Sequence, residues 1–205
     1  METVNDHLSD LREIRNLMEK SSRFISLSGL SGIFAGIFAL AGAAAAWWYL
    51  DFELRNENPS YSGFQNTYFF FFANAAVVLT GALASGIFFT VRQAQRKGQR
   101  IWDKTSRRLL INIAIPLTTG GFFCLALLYH GLPALIASAM LLFYGLALLN
   151  GSKYTFDDIR YLAYIEILLG MLSCFYAGYG LLFWAVGFGA MHIVYGTLMY
   201  FKYEK

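Results

Sequence analysis

Between residues 24 and 201 this sequence is a succession of apolar stretches about 20 residues long, separated by short polar breaks. At ~1.5 Å per residue a helix of that length crosses the ~30 Å hydrocarbon layer of a bilayer. Inside lipid every backbone N–H and C=O must be satisfied within the segment, so such runs fold as helices. Charged residues make up only 14% of the chain, against about 25% in soluble domains. The expected fold is therefore all-α: a polytopic membrane protein with six transmembrane helices in three hairpins, and no sizeable soluble domain. The spans fall at about residues 24–50, 67–91, 109–129, 132–149, 159–178 and 181–201.

The polar breaks set the orientation. Residues 92–108 hold seven of the sixteen basic residues, Arg92, Arg96, Lys97, Arg100, Lys104, Arg107 and Arg108, against one acid, Asp103. In a soluble protein such a segment could grip nucleic acid. Between two membrane-length apolar runs it reads as a cytoplasmic loop, because Lys and Arg resist translocation, and nucleic acid is not an expected partner. With six spans and both termini cytoplasmic, fifteen of the sixteen basic residues lie inside and only Arg55 outside. An odd number of spans would put Lys202 and Lys205 on the wrong side. The same seven basic residues suit contact with anionic lipid headgroups, with Trp102 at the interface. No repeat links the three hairpins, so inverted-repeat transporter symmetry is unsupported.

Residues 1–23 precede the first span. Val4, Leu8, Leu11, Ile14 and Met18 recur every three or four residues, which places them on one face of a helix. That cytoplasmic amphipathic helix would lie on the membrane surface or on the protein's own loops; the sharper alternative is a docking or dimerisation helix. It is not a signal peptide, because its acids are numerous and the run at 24–50 far exceeds an h-region of roughly 7–15 residues. In the first span Ser28, Gly32 and Gly36 repeat every fourth residue, a spacing that lets helix backbones approach closely. The partner could be internal or a second protomer. Residues 51–66 read as the long external loop and 202–205 as a cytoplasmic tail. His130-Gly131-Leu132-Pro133 reads as a tight turn, with Gly131 ending one helix and Pro133 opening the next.

Two stretches could support chemistry. Glu166 and His192 lie at equal distances from Tyr179, the expected tip of the last hairpin, so an antiparallel pair would bring them to one depth. A carboxylate within a membrane span is costly and is usually functional or paired. The pair reads either as a proton or cation site, or polar pocket, or as a structural clamp between two helices. Tyr161, Tyr164, Tyr195 and Tyr200 would extend it. The second stretch is Asn112, Pro116, Thr118, Thr119, Gly120 and Gly121 in the third span. It reads as a helix break exposing carbonyls to an ion or substrate, or as an ordinary proline kink.

No catalytic set, metal site or cofactor is expected. Cys124 and Cys174 sit inside apolar runs, the three His residues lack ligand spacing, and no HExxH, CxxC, P-loop or GxSxG pattern occurs. The layout, six spans with a short amphipathic start and small loops, resembles that of bacterial inner-membrane proteins, without a motif that names a family. The expectation is a multi-pass protein of the bacterial inner (cytoplasmic) membrane, surrounded by lipid. It would act as a subunit, scaffold or sensor through a membrane-protein partner or a second copy of itself. The alternative is a small transporter or channel using Glu166 and His192. An intramembrane enzyme is the weakest reading, since no paired-Asp, Ser/His or multi-His set is present.

Overall fold

The apolar stretches fold as helices throughout. The computed structural model describes residues 27–55, 61–98 and 101–205, and among these the regular structure is entirely helical. The amphipathic helix expected at residues 1–23 lies outside the described residues. In order, the helices are α1 (Gly29–Arg55), α2 (Tyr61–Arg96), α3 (Lys104–Tyr129), α4 (Ile136–Gly151) and α5 (Asp158–Phe175). A final rod joins α6 (Gly180–Trp184), a π-helical segment (Ala185–Met191) and α7 (His192–Tyr203). Short 3-10 turns at Pro133–Leu135, Ser152–Tyr154 and Ala177–Tyr179 join the later elements. Five stretches are long and apolar enough to cross a membrane: Gly29–Glu53, Asn66–Arg96, Lys104–Tyr129, Pro133–Tyr154 and Ala177–Tyr203. The fifth expected span, α5, is shorter and includes Asp158, Arg160 and Glu166 among its 18 residues.

The polar breaks are shorter than the sequence suggests. The loop expected at 51–66 is largely helix, since α1 runs to Arg55 and α2 begins at Tyr61. The basic segment is likewise drawn into the helices: Arg92 and Arg96 end α2, and Lys104, Arg107 and Arg108 begin α3. Leu, Glu, Gln and Arg in these stretches are good helix formers, so polarity there does not end the helix. The turn after α3 is as expected. Gly131 has φ +71°, Gly131 N–H donates to Leu128 O at 3.1 Å, and Leu132 N–H donates to Leu127 O at 2.8 Å. That is the Schellman pattern, and it satisfies two terminal carbonyls.

Packing pairs the helices in antiparallel fashion. Along α1 and α2, Phe34 stacks on Phe89 at 4.9 Å, Asn74 Nδ2 donates to Gly42 O at 3.0 Å, and Tyr49 stacks on Phe70 at 4.0 Å. Along α4 and α5, Gly145 abuts Ala163 and Ile167, Gly170 abuts Ser138 and Leu142, and the Ser138 and Ser173 hydroxyls bond at 2.8 Å. The third hairpin is looser than its sequence adjacency implies. The most extensive partner of α5 is α4, and that of α7 is α1.

The seam between α1 and the final rod is made of glycine. A Cβ on Gly32 would lie 3.1 Å from Gly196 Cα, and one on Gly36 would lie 2.6 Å from Gly189 O. The small-residue stripe read from the sequence thus has its partner inside the molecule. Ser28 serves differently: its hydroxyl donates to Glu204 Oε2 at 3.2 Å, and the Gly29 N–H donates to Glu204 Oε1. The last carboxylate of the chain therefore accepts from the orphan donors at the start of α1. Lys202 Nζ meets Asp158 Oδ2 at 2.8 Å and the Tyr203 hydroxyl donates to the same oxygen at 2.6 Å. The start of α1, the start of α5 and the end of α7 thus meet at one end of the bundle. Antiparallel pairing brings the basic ends of α2 and α3 to that end too.

Two expectations follow for stability. Gly196→Ala would put a Cβ 2.6 Å from Gly29 O and Ile33 N, and overpacking against backbone should destabilise by roughly 1–3 kcal/mol. Gly86→Ala, whose Cβ meets nothing within 4 Å, should change stability by less than about 0.5 kcal/mol; thermal unfolding in detergent compares the two. Asp103 caps α3 by accepting from Ser106 N–H at 2.6 Å and Ser106 Oγ at 2.7 Å. The Ser106 backbone N–H, the largest cause, holds this carboxyl below its ordinary value. A lowered folded pKa contributes stability above the ordinary value and loses it as pH falls through the folded one. Asp103→Ala should therefore cost about 1 kcal/mol at neutral pH, and the difference from wild type should shrink in unfolding titrations carried into acid.

Candidate functional site

Three elements meet around one carboxyl group. Glu166 lies on the inward face of α5, among Leu162, Ala163 and Gly170, all buried. Its residue exposure is 0%. Neither carboxyl oxygen has a hydrogen-bond partner among the described residues. The nearest group able to carry positive charge is His192 Nδ1, 3.6 Å from Glu166 Oε1. That distance is long for a hydrogen bond. The sequence argument from hairpin depth thus brings Glu166 and His192 into one cluster.

The π-helical segment decides what His192 does. Gly187 stands five residues before His192, and its carbonyl accepts from His192 Nδ1 at 3.0 Å. A carbonyl can only accept, so Nδ1 carries the hydrogen. The other ring nitrogen, Nε2, lies 2.6 Å from the Tyr144 hydroxyl of α4. A neutral imidazole accepts the phenol proton there, and a cationic one donates to the phenol oxygen. Phe188 packs beside both rings, 4.9 Å from Tyr144 and 6.1 Å from His192. Gly187 has a second task. A Cβ at this position would lie 2.5 Å from Glu166 Oε2 and from Leu141 Cδ2, so the missing side chain is the space the carboxyl occupies.

The arrangement can pass or hold a proton. Tyr144 Oη, His192 Nε2, His192 Nδ1 and Glu166 Oε1 follow one another, with steps of 2.6 Å and 3.6 Å on either side of the ring. An imidazole that gains a proton at one nitrogen can release one from the other. No group of three or more His, Cys, Asp or Glu side chains suited to a metal ion occurs among the described residues.

The other sequence candidates do not join this cluster. Tyr161 and Tyr164 are exposed on the outer face of α5, so they do not extend the network; Tyr195 and Tyr200 lie nearer the Lys202 end of α7. Of the two readings of the third span, the break is absent, because α3 runs through Pro116 without interruption. Asn112 Nδ2 donates to Arg108 O at 2.8 Å and Thr119 Oγ1 donates to Ile115 O at 2.9 Å. These side chains bond back along their own helix and leave its carbonyls engaged. Thr118 and Thr119 are exposed, Gly121 meets open space, and Gly120 is buried against Phe143 of α4. Ser28, Gly32 and Gly36 form the seam described above. Arg92, Arg96, Lys97, Lys104, Arg107 and Arg108 are exposed, and Arg100 lies outside the described residues.

Tyr144 and Gly187 are the members that sequence reasoning missed. Tyr144 stands out within its aliphatic span, and that isolation was the available signal. Gly187-Phe188-Gly189 gave a weaker hint, since paired glycines loosen a helix. The chain has no match among protein-family models, among curated proteins or among solved structures.

The hydrogen bond to Tyr144 lends itself to a direct check. Tyr144→Phe should lower thermal stability by about 0.5–1.5 kcal/mol, the scale of one net hydrogen bond. Gly187→Ala should destabilise more, because the new methyl group displaces the Glu166 carboxyl and Leu141 together. Equal effects from the two variants would mean that the carboxyl is not seated over Gly187.

Proposed function

We propose that this is a multi-pass integral membrane protein whose working element is the Glu166–His192–Tyr144 cluster, a buried site that binds and releases a proton. The protein would act as a proton-responsive membrane subunit or sensor. The observation that carries this reading is the Glu166 carboxyl, fully buried with both oxygens unpartnered. A structural clamp would satisfy its lone pairs, because an unpaired buried carboxylate costs several kcal/mol. A group that exchanges a proton has to remain free of permanent partners in at least one state.

Two features support the membrane setting. Large side chains such as Phe69, Val77, Ile87 and Phe122 point outward on α2 and α3, where lipid rather than water suits them. Basic residues gather at the end of the bundle where Ser28 meets Glu204. Under the positive-inside rule that end is cytoplasmic, both termini are inside, and α5 completes six spans as the fifth despite its charges. A bacterial inner membrane fits this layout.

A second reading, a small proton-coupled transporter, draws on the π-helical segment beside His192. Such turns recur at functional sites, because the helix there can change register. The scaffold reading loses one support, since the small-residue face of α1 is used within the molecule.

The test is proton flux into proteoliposomes loaded with a pH-sensitive dye, for wild type and Glu166→Gln of equal stability. A sensor predicts no flux in either protein, together with a pH-dependent change in Trp184 fluorescence that the substitution abolishes. A transporter predicts flux that Glu166→Gln removes. A wild type that shows neither flux nor a pH response between about 5 and 9 would reduce Glu166 to a structural group.

A further inference from the structure

The two outermost helices are joined to each other and packed on others. α2 packs on α1 and α3 packs on α4, yet α2 and α3 are not packed against one another, although only residues 97–103 connect them. Of the 18-residue apolar windows, that of α2 has no residue buried and that of α3 has 11% buried. Next to the connection their outer surfaces are apolar: Ile87 and Phe88 on α2, and Leu110 and Ile111 on α3, are exposed.

Charge collects at this same point. Arg92 and Arg96 occupy the last turns of α2, and Lys104, Arg107 and Arg108 the first turns of α3; all five are exposed. The one acid between them, Asp103, is already engaged in capping α3 through Ser106. Trp102, beside it, is 70% exposed. A cluster of cations at the start of α3 opposes the helix dipole, so a counter-anion there relieves repulsion as well as gaining attraction.

We propose that this basic end, between the exposed faces of α2 and α3, is a binding site for an anionic phospholipid. The phosphate headgroup sits among Arg92, Arg96, Lys104, Arg107 and Arg108, the acyl chains lie along Ile87, Phe88, Leu110 and Ile111, and Trp102 stands at the headgroup level. The occupant follows from complementarity: the surface joins a cationic rim to an apolar wall, and a lipid of opposite charge has both parts in that order. The inference rests on the membrane reading above and not on the proton site.

The experiment uses the full chain reconstituted in vesicles of phosphatidylcholine, with or without phosphatidylglycerol. Flotation with the neutral vesicles first establishes insertion; failure there overturns the membrane reading and this proposal with it. For inserted protein, brominated phosphatidylglycerol should quench Trp102, measured as the difference between wild type and Trp102→Phe, more strongly than brominated phosphatidylcholine at equal mole fraction. Each juxtamembrane basic residue favours an anionic surface by about fivefold, so R96Q/R107Q/R108Q should weaken the phosphatidylglycerol preference by about 100-fold. Normal insertion with equal quenching by the two lipids overturns this proposal alone. So does a preference that survives the triple substitution, which would place the lipid elsewhere. A phosphatidylglycerol preference absent from wild type and gained only in the Asp6→Asn/Asp10→Asn variant would also overturn it, assigning the basic end to the acidic N-terminal segment as partner.

Discussion

Close approach of backbones between α1 and the final rod sets the geometry on which the rest depends. Gly32 faces the Gly196 backbone, and Gly36 lies against Gly189 O and the Ile193 side chain. In the membrane setting proposed above, lipid would give no hydrophobic drive for helices to associate, so such contacts would gain stability from dispersion and from polar groups at close range. The same seam fixes the π-helical segment, because Gly189 carries the carbonyl that Gly36 approaches and packs against Leu40. Its other face turns Gly187 toward Glu166. One short stretch of irregular helix thus joins the packing of α1 to the polar cluster, and a change in its register would be felt on both sides.

Polar interactions are divided between the bundle's end and its interior. At the end, Glu204 accepts from Ser28 and Gly29, and Lys202 meets Asp158. The Tyr203 hydroxyl donates to the same Asp158 oxygen that Lys202 meets. These groups have partners, and half-exposed pairs of this kind act mainly to position the helix ends. In the interior, Ser138 and Ser173 satisfy one another across α4 and α5. Glu166 is the exception, for its oxygens have no such bond.

Much of the helical layout was legible in the sequence because span length and backbone satisfaction leave a membrane segment few choices. Helix ends were not, since residues 51–55 and 92–96 are polar yet good helix formers, and polarity was read as loop. The depth match of Glu166 and His192 could be counted from the turn near Tyr179, because rise per residue is nearly fixed. Tyr144 could not be counted in, as its height depends on how α4 packs on α5 and on the final rod. Pro116 left two readings open, a break and an ordinary kink. A proline removes a single backbone bond, and with Asn112 and Thr119 bonding along the same helix the rod continues. The glycine stripe in α1 was visible, but its partner was not, because a stripe records that something approaches without recording what.

The π-helical segment also bears on which protonation states the cluster can hold. His192 Nδ1 donates to Gly187 O at 3.0 Å, and Glu166 Oε1 stands beyond hydrogen-bond distance at 3.6 Å. With Glu166 protonated the carbonyl is the better-placed acceptor. With Glu166 ionised the carboxylate becomes the stronger acceptor, as charge-assisted hydrogen bonds are roughly twice as strong as neutral ones. Drawing Nδ1–H toward the carboxylate frees Gly187 O, and a freed carbonyl in a π turn can be taken by the backbone N–H one residue nearer. On the proton-site reading proposed above, that exchange would convert π to α, and the proton on Glu166 would be coupled to the register of the last rod.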